Sequence, residues 1–135
     1  MADHSSHIAF VERAYDDTYA LLVAMRDYVA GPSSEDARAL DPGDRLRLTH
    51  ELSRVTRLLT NVMAWLMVQK AVAAGELTRE EGDRDPAAKL DFLYDGEADL
   101  KELGRLPIAA RSLIDRTRRV AALVRQLDSA IPAAE

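Results

Sequence analysis

Cysteine, histidine, buried carboxylate pairs and hydroxyls beside a base carry most protein catalysis, and in this sequence they do not form workable sets. There is no cysteine, so disulfides, thiolate nucleophiles and cysteine-ligated zinc or iron–sulfur centres are excluded. The histidines are His4, His7 and His50. His4 and His7 lie near the N-terminus, where a frayed backbone gives a metal no rigid support. No Glu-x-x-His occurs, so the inward carboxylate–histidine pattern of di-iron bundles is missing. His50 follows Thr49, but adjacent residues on a helix point about 100° apart, which rules out a Thr–His nucleophile pair there. Carboxylates stand close together at Glu80 with Glu81 and at Asp83 with Asp85. Catalytic pairs need burial to split their pKa values, and these four sit in a polar run. The six glycines are scattered and form no phosphate-binding loop. The expectation is a non-enzymatic chain with no catalytic, cofactor or metal site.

What such a chain can offer is a surface, and the hydrophobic periodicity says how that surface is built. Ile8, Val11, Tyr15, Thr18, Leu22, Met25 and Val29 step by three and four, with Ala14, Leu21 and Tyr28 widening the stripe. This predicts a core-facing helix over 8–30, ended by Gly31-Pro32. A polar connection with about one helical turn near Glu35–Leu40 follows. Asp41-Pro42 is a cap-plus-proline start. From there no breaker intervenes until Gly75, a natural left-handed C′ residue. Leu48, Leu52, Val55, Leu59, Val62 and Leu66 are the inward stripe of this helix, whose length is about 50 Å at 1.5 Å per residue. Thr78-Arg79-Glu80-Glu81 matches a capping box, opening a helix cut short by Gly82 and Pro86. Asp85-Pro86 reads as a further start leading into Ala87–Tyr94, and 95–106 as loop with a helical turn. The last helix begins at Pro107, with Leu113, Thr117, Val120, Val124, Leu127 and Ile131 facing inward and Pro132 ending it. The predicted fold is all-α: an antiparallel bundle of three long helices in one domain spanning 1–135, with short helical segments between the second and third.

Charge and hydropathy narrow the partners. The net charge is −5, which argues against general nucleic-acid binding. Residues 76–106 hold ten acids and five bases, and residues 107–135 three acids and five bases. The latter bases are Arg111, Arg116, Arg118, Arg119 and Arg125, on a helix without aromatics for stacking on single strands. Pairing between the acidic segment and this helix is expected. The longest strictly apolar run, Val62 to Val68, falls far short of the roughly 20 residues that span a bilayer, and the N-terminus has no signal-peptide pattern. A soluble cytoplasmic chain is therefore expected.

The long second helix is apolar all round from Val62 to Val68, and its outer face carries the small or medium residues Ala64, Val68, Ala71 and Gly75. Something must cover such a face. Two covers fit: the chain's own acidic segment, or a second copy across a homodimer seam.

The most distinctive stretch runs through the same helix: Ser53-Arg54-Val55-Thr56-Arg57-Leu58, then Ala64-Trp65-Leu66, Gln69-Lys70-Ala71-Val72 and Gly75-Glu76-Leu77-Thr78. These pieces resemble the core signature of an alphaproteobacterial family, the regulators of CtrA degradation (RcdA) and their relatives. The flanks agree more loosely: Tyr28 before Gly31-Pro32, and Arg125-Gln126-Leu127-Asp128 in the final helix. The resemblance implies a dimeric helical bundle without enzymatic activity. It also implies an adaptor role, in which the family's characterised type joins the ClpXP protease through a single-domain response regulator and delivers cell-cycle regulators as cargo. That type carries a longer flexible C-terminal tail linked to its role. This sequence ends soon after Ile131, a departure that bears on cargo delivery and not on the fold.

On this reading Trp65, Gln69, Lys70 and Glu76 are candidate partner-binding residues. Trp65 has an alternative place in the core beside Leu66, and Gln69, Lys70 and Glu76 have one on a solvated flank. A homodimeric scaffold with other partners, and a nucleic-acid-associated regulator using the terminal arginines, are the competing functions. No cofactor is expected.

Overall fold

The computed structural model describes residues 4–89 and 103–130, with residues 4 and 5 as backbone alone. Its helices are α1 (His4–Ala30), α2 (Pro32–Arg38), α3 (Pro42–Ala73), α4 (Arg79–Arg84) and α5 (Ile108–Ala130), with a 3₁₀ turn at Pro86–Ala88 between α4 and α5. All regular structure among the described residues is helical. The long helices α1, α3 and α5 form the antiparallel bundle, and each packs against the other two. None of the described helices is long and apolar enough to cross a membrane.

The predicted boundaries hold where capping chemistry was legible. The Asp41 side chain accepts a hydrogen bond from the Asp44 N–H at 2.8 Å, and α3 then runs for 32 residues. Pro32 opens α2 rather than only closing α1, so the expected single turn is a helix of seven residues. Its proline sits where the missing N–H costs nothing. α1 starts at His4 instead of Ile8. The segment expected over 87–94 begins as only a 3₁₀ turn, Pro86–Ala88, because Lys89 is extended; its remainder, residues 95–102 and the end of the last helix at Ile131 lie outside the described residues.

Val11, Ala14, Thr18, Leu21, Met25 and Tyr28 of α1 enter the core, against Leu48, Val55, Leu59, Val62, Trp65 and Leu66 of α3 and Ala110, Leu113, Ile114, Val120, Val124 and Leu127 of α5. Each large side chain fully buried this way contributes about 1.5–3 kcal/mol. α3 presents the stripe its periodicity predicted, with Leu52 half-buried, and α5 presents its own from Leu113 to Leu127. α1 is rotated from the longer of its two lines: Ala14, Leu21 and Tyr28 are buried, Tyr15 and Leu22 only partly so, and Val29 is exposed. Two core positions are hydroxyls. Thr18 and Thr117 each donate to the carbonyl four residues back, Ala14 and Leu113, at 2.7 Å. Both are therefore satisfied without a partner on another helix.

Tyr28 ties α1 to α2. Its ring is buried, and its hydroxyl donates to the Asp36 Oδ2 at 2.7 Å. Burial first, then the hydrogen bond and the charge of Asp36, push the phenol pKa well above its ordinary value. The folded state favours the neutral phenol. Its contribution is thus full below the ordinary pKa of about 10 and is lost as pH rises through the raised one. At about pH 11, while helical CD persists, Tyr28 should still be a neutral phenol. Tyr28→Phe should then leave the native tyrosinate absorbance unchanged while lowering Tm. A fall in that absorbance by one tyrosine's share would contradict this.

Candidate protein-binding site at one end of the bundle

The distinctive stretch ends in a tightly specified chain reversal. At the end of α3 the Glu76 N–H donates to the Ala71 carbonyl at 2.9 Å and the Gly75 N–H to that of Val72 at 3.1 Å. This is the paired bonding of a Schellman cap, and it requires a left-handed residue. Gly75 supplies it with φ 78°. Three residues on, the Thr78 hydroxyl accepts from the Glu81 N–H at 3.1 Å and the Glu81 carboxylate accepts from the Thr78 N–H at 3.0 Å. The capping box read from sequence is complete. The Thr78 backbone bond, and then its side chain, hold the Glu81 pKa below the usual carboxylate value. This cap is therefore at full strength above the ordinary carboxylate range and weakens as pH falls through the lowered value.

The reversal lays α4 back on α3. Gly82, which the sequence suggested would cut the helix short, lies inside α4 and is buried against it. A Cβ there would stand 2.7 Å from the Val72 Cγ2 and 3.5 Å from the Val68 Cγ1. Glycine is present because the helices touch at this point. Arg79 reaches back, donating to the Gln69 Oε1 at 2.9 Å and pairing with Asp83 at 3.7 Å. On the α1 side, the Lys70 ammonium lies 3.9 Å from the centroid of the Tyr15 ring and 3.3 Å from the Glu12 carboxylate. A shallow cleft of about 320 Å³, including solvent at its mouth, opens between these groups. Ile8, Val11 and Val72 supply apolar walls, with Glu12, Lys70 and Arg79 around them.

Against this geometry the candidate residues separate. Trp65 is fully buried, so it presents no surface to a partner in this conformation. It fills the core, as its size and apolarity favour. Gln69 is buried and committed to Arg79, and Lys70 is held by Tyr15 and Glu12. Both order the end of the bundle, and neither is a freely solvated flank. Glu76 is exposed. The small-residue line divides too. Val68 is covered by α4, Ala64 and Ala71 are half-buried, and Gly75 is exposed at the reversal. The chain's own acidic segment, one of the two covers weighed for this face, thus closes it at Val68. Sequence reading missed Arg79, Tyr15 and Glu12. The Gln69–Arg79 bond spans a glycine turn, and the Lys70 contacts come from another helix, so no local spacing signals them.

Val68→Asp should release α4 from α3, because a carboxylate beside Gly82 is desolvated without a partner. A loss of about 2–4 kcal/mol is expected, with amide exchange in 79–84 accelerated and the molecular mass unchanged. A folded variant that keeps α4 protected but changes from dimer to monomer would instead make this face a seam.

The catalytic candidates are not assembled. His50 is exposed, and the Thr49 hydroxyl donates to the Arg45 carbonyl. Glu80, Glu81 and Asp83 are exposed, engaged with Arg84, Thr78 and Arg79 respectively. Among the described residues no cluster of three or more histidine or carboxylate side chains could hold a metal.

Comparison with known proteins places the chain. No curated protein matches it. The crystal structure of RcdA from Caulobacter crescentus CB15 superposes with a TM-score of 0.70 and 27% identity, covering 88% of each chain. A family model described as a protein of unknown function, DUF1465, matches residues 2–135. With that match along almost its whole length and the architecture of RcdA beneath it, this chain belongs to the DUF1465 family of RcdA-like helical proteins.

Proposed function

We propose that the chain is a non-enzymatic, cytoplasmic adaptor that binds other proteins and, like the regulators of CtrA degradation, brings cell-cycle regulators to the ClpXP protease with a single-domain response regulator. The observation that carries this reading is the likeness to RcdA over 88% of both chains. The form of the molecule is consistent with it. The distinctive residues around 69–79 build an end of the bundle tied by caps, a side-chain hydrogen bond and an ion pair, and preordered surfaces lose less entropy on docking.

The test is affinity capture from the source lysate with ATP and an unphosphorylated response regulator, read by mass spectrometry. Co-recovery of ClpX with a single-domain response regulator is the expected result, together with faster ClpXP degradation of a captured cargo when the protein is added. Recovery of neither component removes the named role. The proposal includes a homodimer. Exposed Met67 and half-buried Ala64 on the outer side of α3 are its support, and a monomer at high concentration by sedimentation would remove that part.

A further inference from the structure

α5 turns a file of guanidinium groups outward. Arg111, Arg118 and Arg125 are all exposed and recur every seventh residue. A seven-residue step returns to within about 20° of its starting direction on a straight helix. The three therefore share one side, about 10 Å apart and about 21 Å from first to last. None of them forms an ion pair among the described residues. Of the two acids on α5, Asp115 is taken by Arg119 at 2.7 Å, which points about 100° away from Arg118, and Asp128, three residues beyond Arg125, forms no ion pair with it. The pairing expected between the acidic segment and this helix is not made by the described residues either. Arg79 and Arg84 of α4 take Asp83 and Glu80 locally.

We propose that this file is a docking site for an acidic α-helix of a partner protein, one bearing carboxylates at seven-residue intervals. This deepens the protein-binding reading above and rests on it. A helix lying alongside α5 at a shallow angle keeps its own residues i, i+7 and i+14 against the file, and each arginine fork can hold a carboxylate with two parallel bonds. Nucleic acid fits less well. The body carries a net charge of −5, Asp115 and Asp128 interrupt the basic helix, and α5 has no aromatic side chain. A lipid surface fits less well again, because interfacial helices insert an apolar face and the apolar face of α5 is in the core. Its one large exposed hydrophobic is Ile108, at the start.

Two synthetic helical peptides of about 21 residues and identical composition test this, one with glutamates on one heptad file and one with them spread around the helix. The heptad peptide should bind the full chain several-fold more tightly at low salt. Replacing Arg111, Arg118 and Arg125 together by Gln should weaken it about tenfold, and the pair Arg116→Gln and Arg119→Gln much less. Circular dichroism should be unchanged, since all five side chains are exposed. Equal affinity for the two peptides, equal loss in the control pair, or tighter binding to a DNA duplex or to phosphatidylglycerol vesicles would overturn the proposal. So would a change of oligomeric mass in the triple variant, which would make a second copy the occupant. If wild type captures a protein partner and the triple variant captures it equally well, the docking file falls and the protein-binding reading stands. If wild type captures none, that reading falls.

Discussion

Leu59→Asp should abolish cooperative folding. Leu59 is fully buried near the middle of α3, the helix on which α1, α2, α4 and α5 all pack. The substitution removes about 2–3 kcal/mol of side-chain burial and places a carboxylate where no cation meets it. Keeping that group neutral or flooding the core costs several kcal/mol more. The combined loss is comparable with the entire 5–15 kcal/mol stability of an ordinary domain. Far-UV circular dichroism should show depleted helix at 25 °C and no sigmoidal melt. The control lies on the same helix: Leu46 is 72% exposed, so Leu46→Asp should stay within about 0.5 kcal/mol of wild type. A cooperative melt for Leu59→Asp, or equal damage from both variants, would show that the phase of α3 is misassigned.

Trp65→Ala should be the next most damaging change, at about 3–5 kcal/mol, or about 10–18 °C in Tm for a chain of this length. Trp65 is the only tryptophan and among the largest fully buried side chains. Its indole Nε1 is buried without a protein acceptor among the described residues. Trp65→Phe should therefore be much milder, because it keeps most of the ring volume and removes a donor that is expensive to bury unpaired. The pair of variants also separates a core role from a contact role. If Trp65 only fills the core, Trp65→Phe retains partner capture in proportion to its stability. Loss of capture with an unchanged melt would move Trp65 back to the binding surface.

The capping chemistry and two of the three long apolar stripes were legible because each depends on neighbours within a turn or two. Asp41, Gly75 and the Thr78–Glu81 pair act on their own backbone, and Val55, Leu59, Val62 and Leu66 face one way whatever packs on them. In α1, where Ala14, Leu21 and Tyr28 widen the longer line, only the positions of α3 and α5 could set the centre of the stripe, and they bury Val11, Thr18 and Met25 with that second line while leaving Tyr15 and Leu22 half-buried and Val29 exposed. Gly82 was half legible: its helix is as short as expected, six residues, but the glycine lies inside it. A glycine in a short helix reads as a breaker until the facing Val72 is known. The polar residues of the distinctive stretch were the least legible. Gln69 looks like a surface residue until α4 folds back and delivers Arg79, and Lys70 until α1 brings Tyr15 beneath it.

The two buried threonines bear on how this family can diverge. Because Thr18 and Thr117 spend their hydroxyls on their own helices, and buried Glu51 bonds to Arg54 one turn along, none of these polar groups locks one long helix to another. Within the core, helix register is then held by shape and volume, which many combinations of apolar side chains satisfy equally, while the polar link between α1 and α3, Lys70 with Glu12 and Tyr15, lies at the edge of the bundle. A lineage can exchange core residues one at a time without first breaking a cross-helix polar bond. Such exchanges leave the backbone in place, in keeping with a superposition on RcdA at a TM-score of 0.70 despite 27% identity.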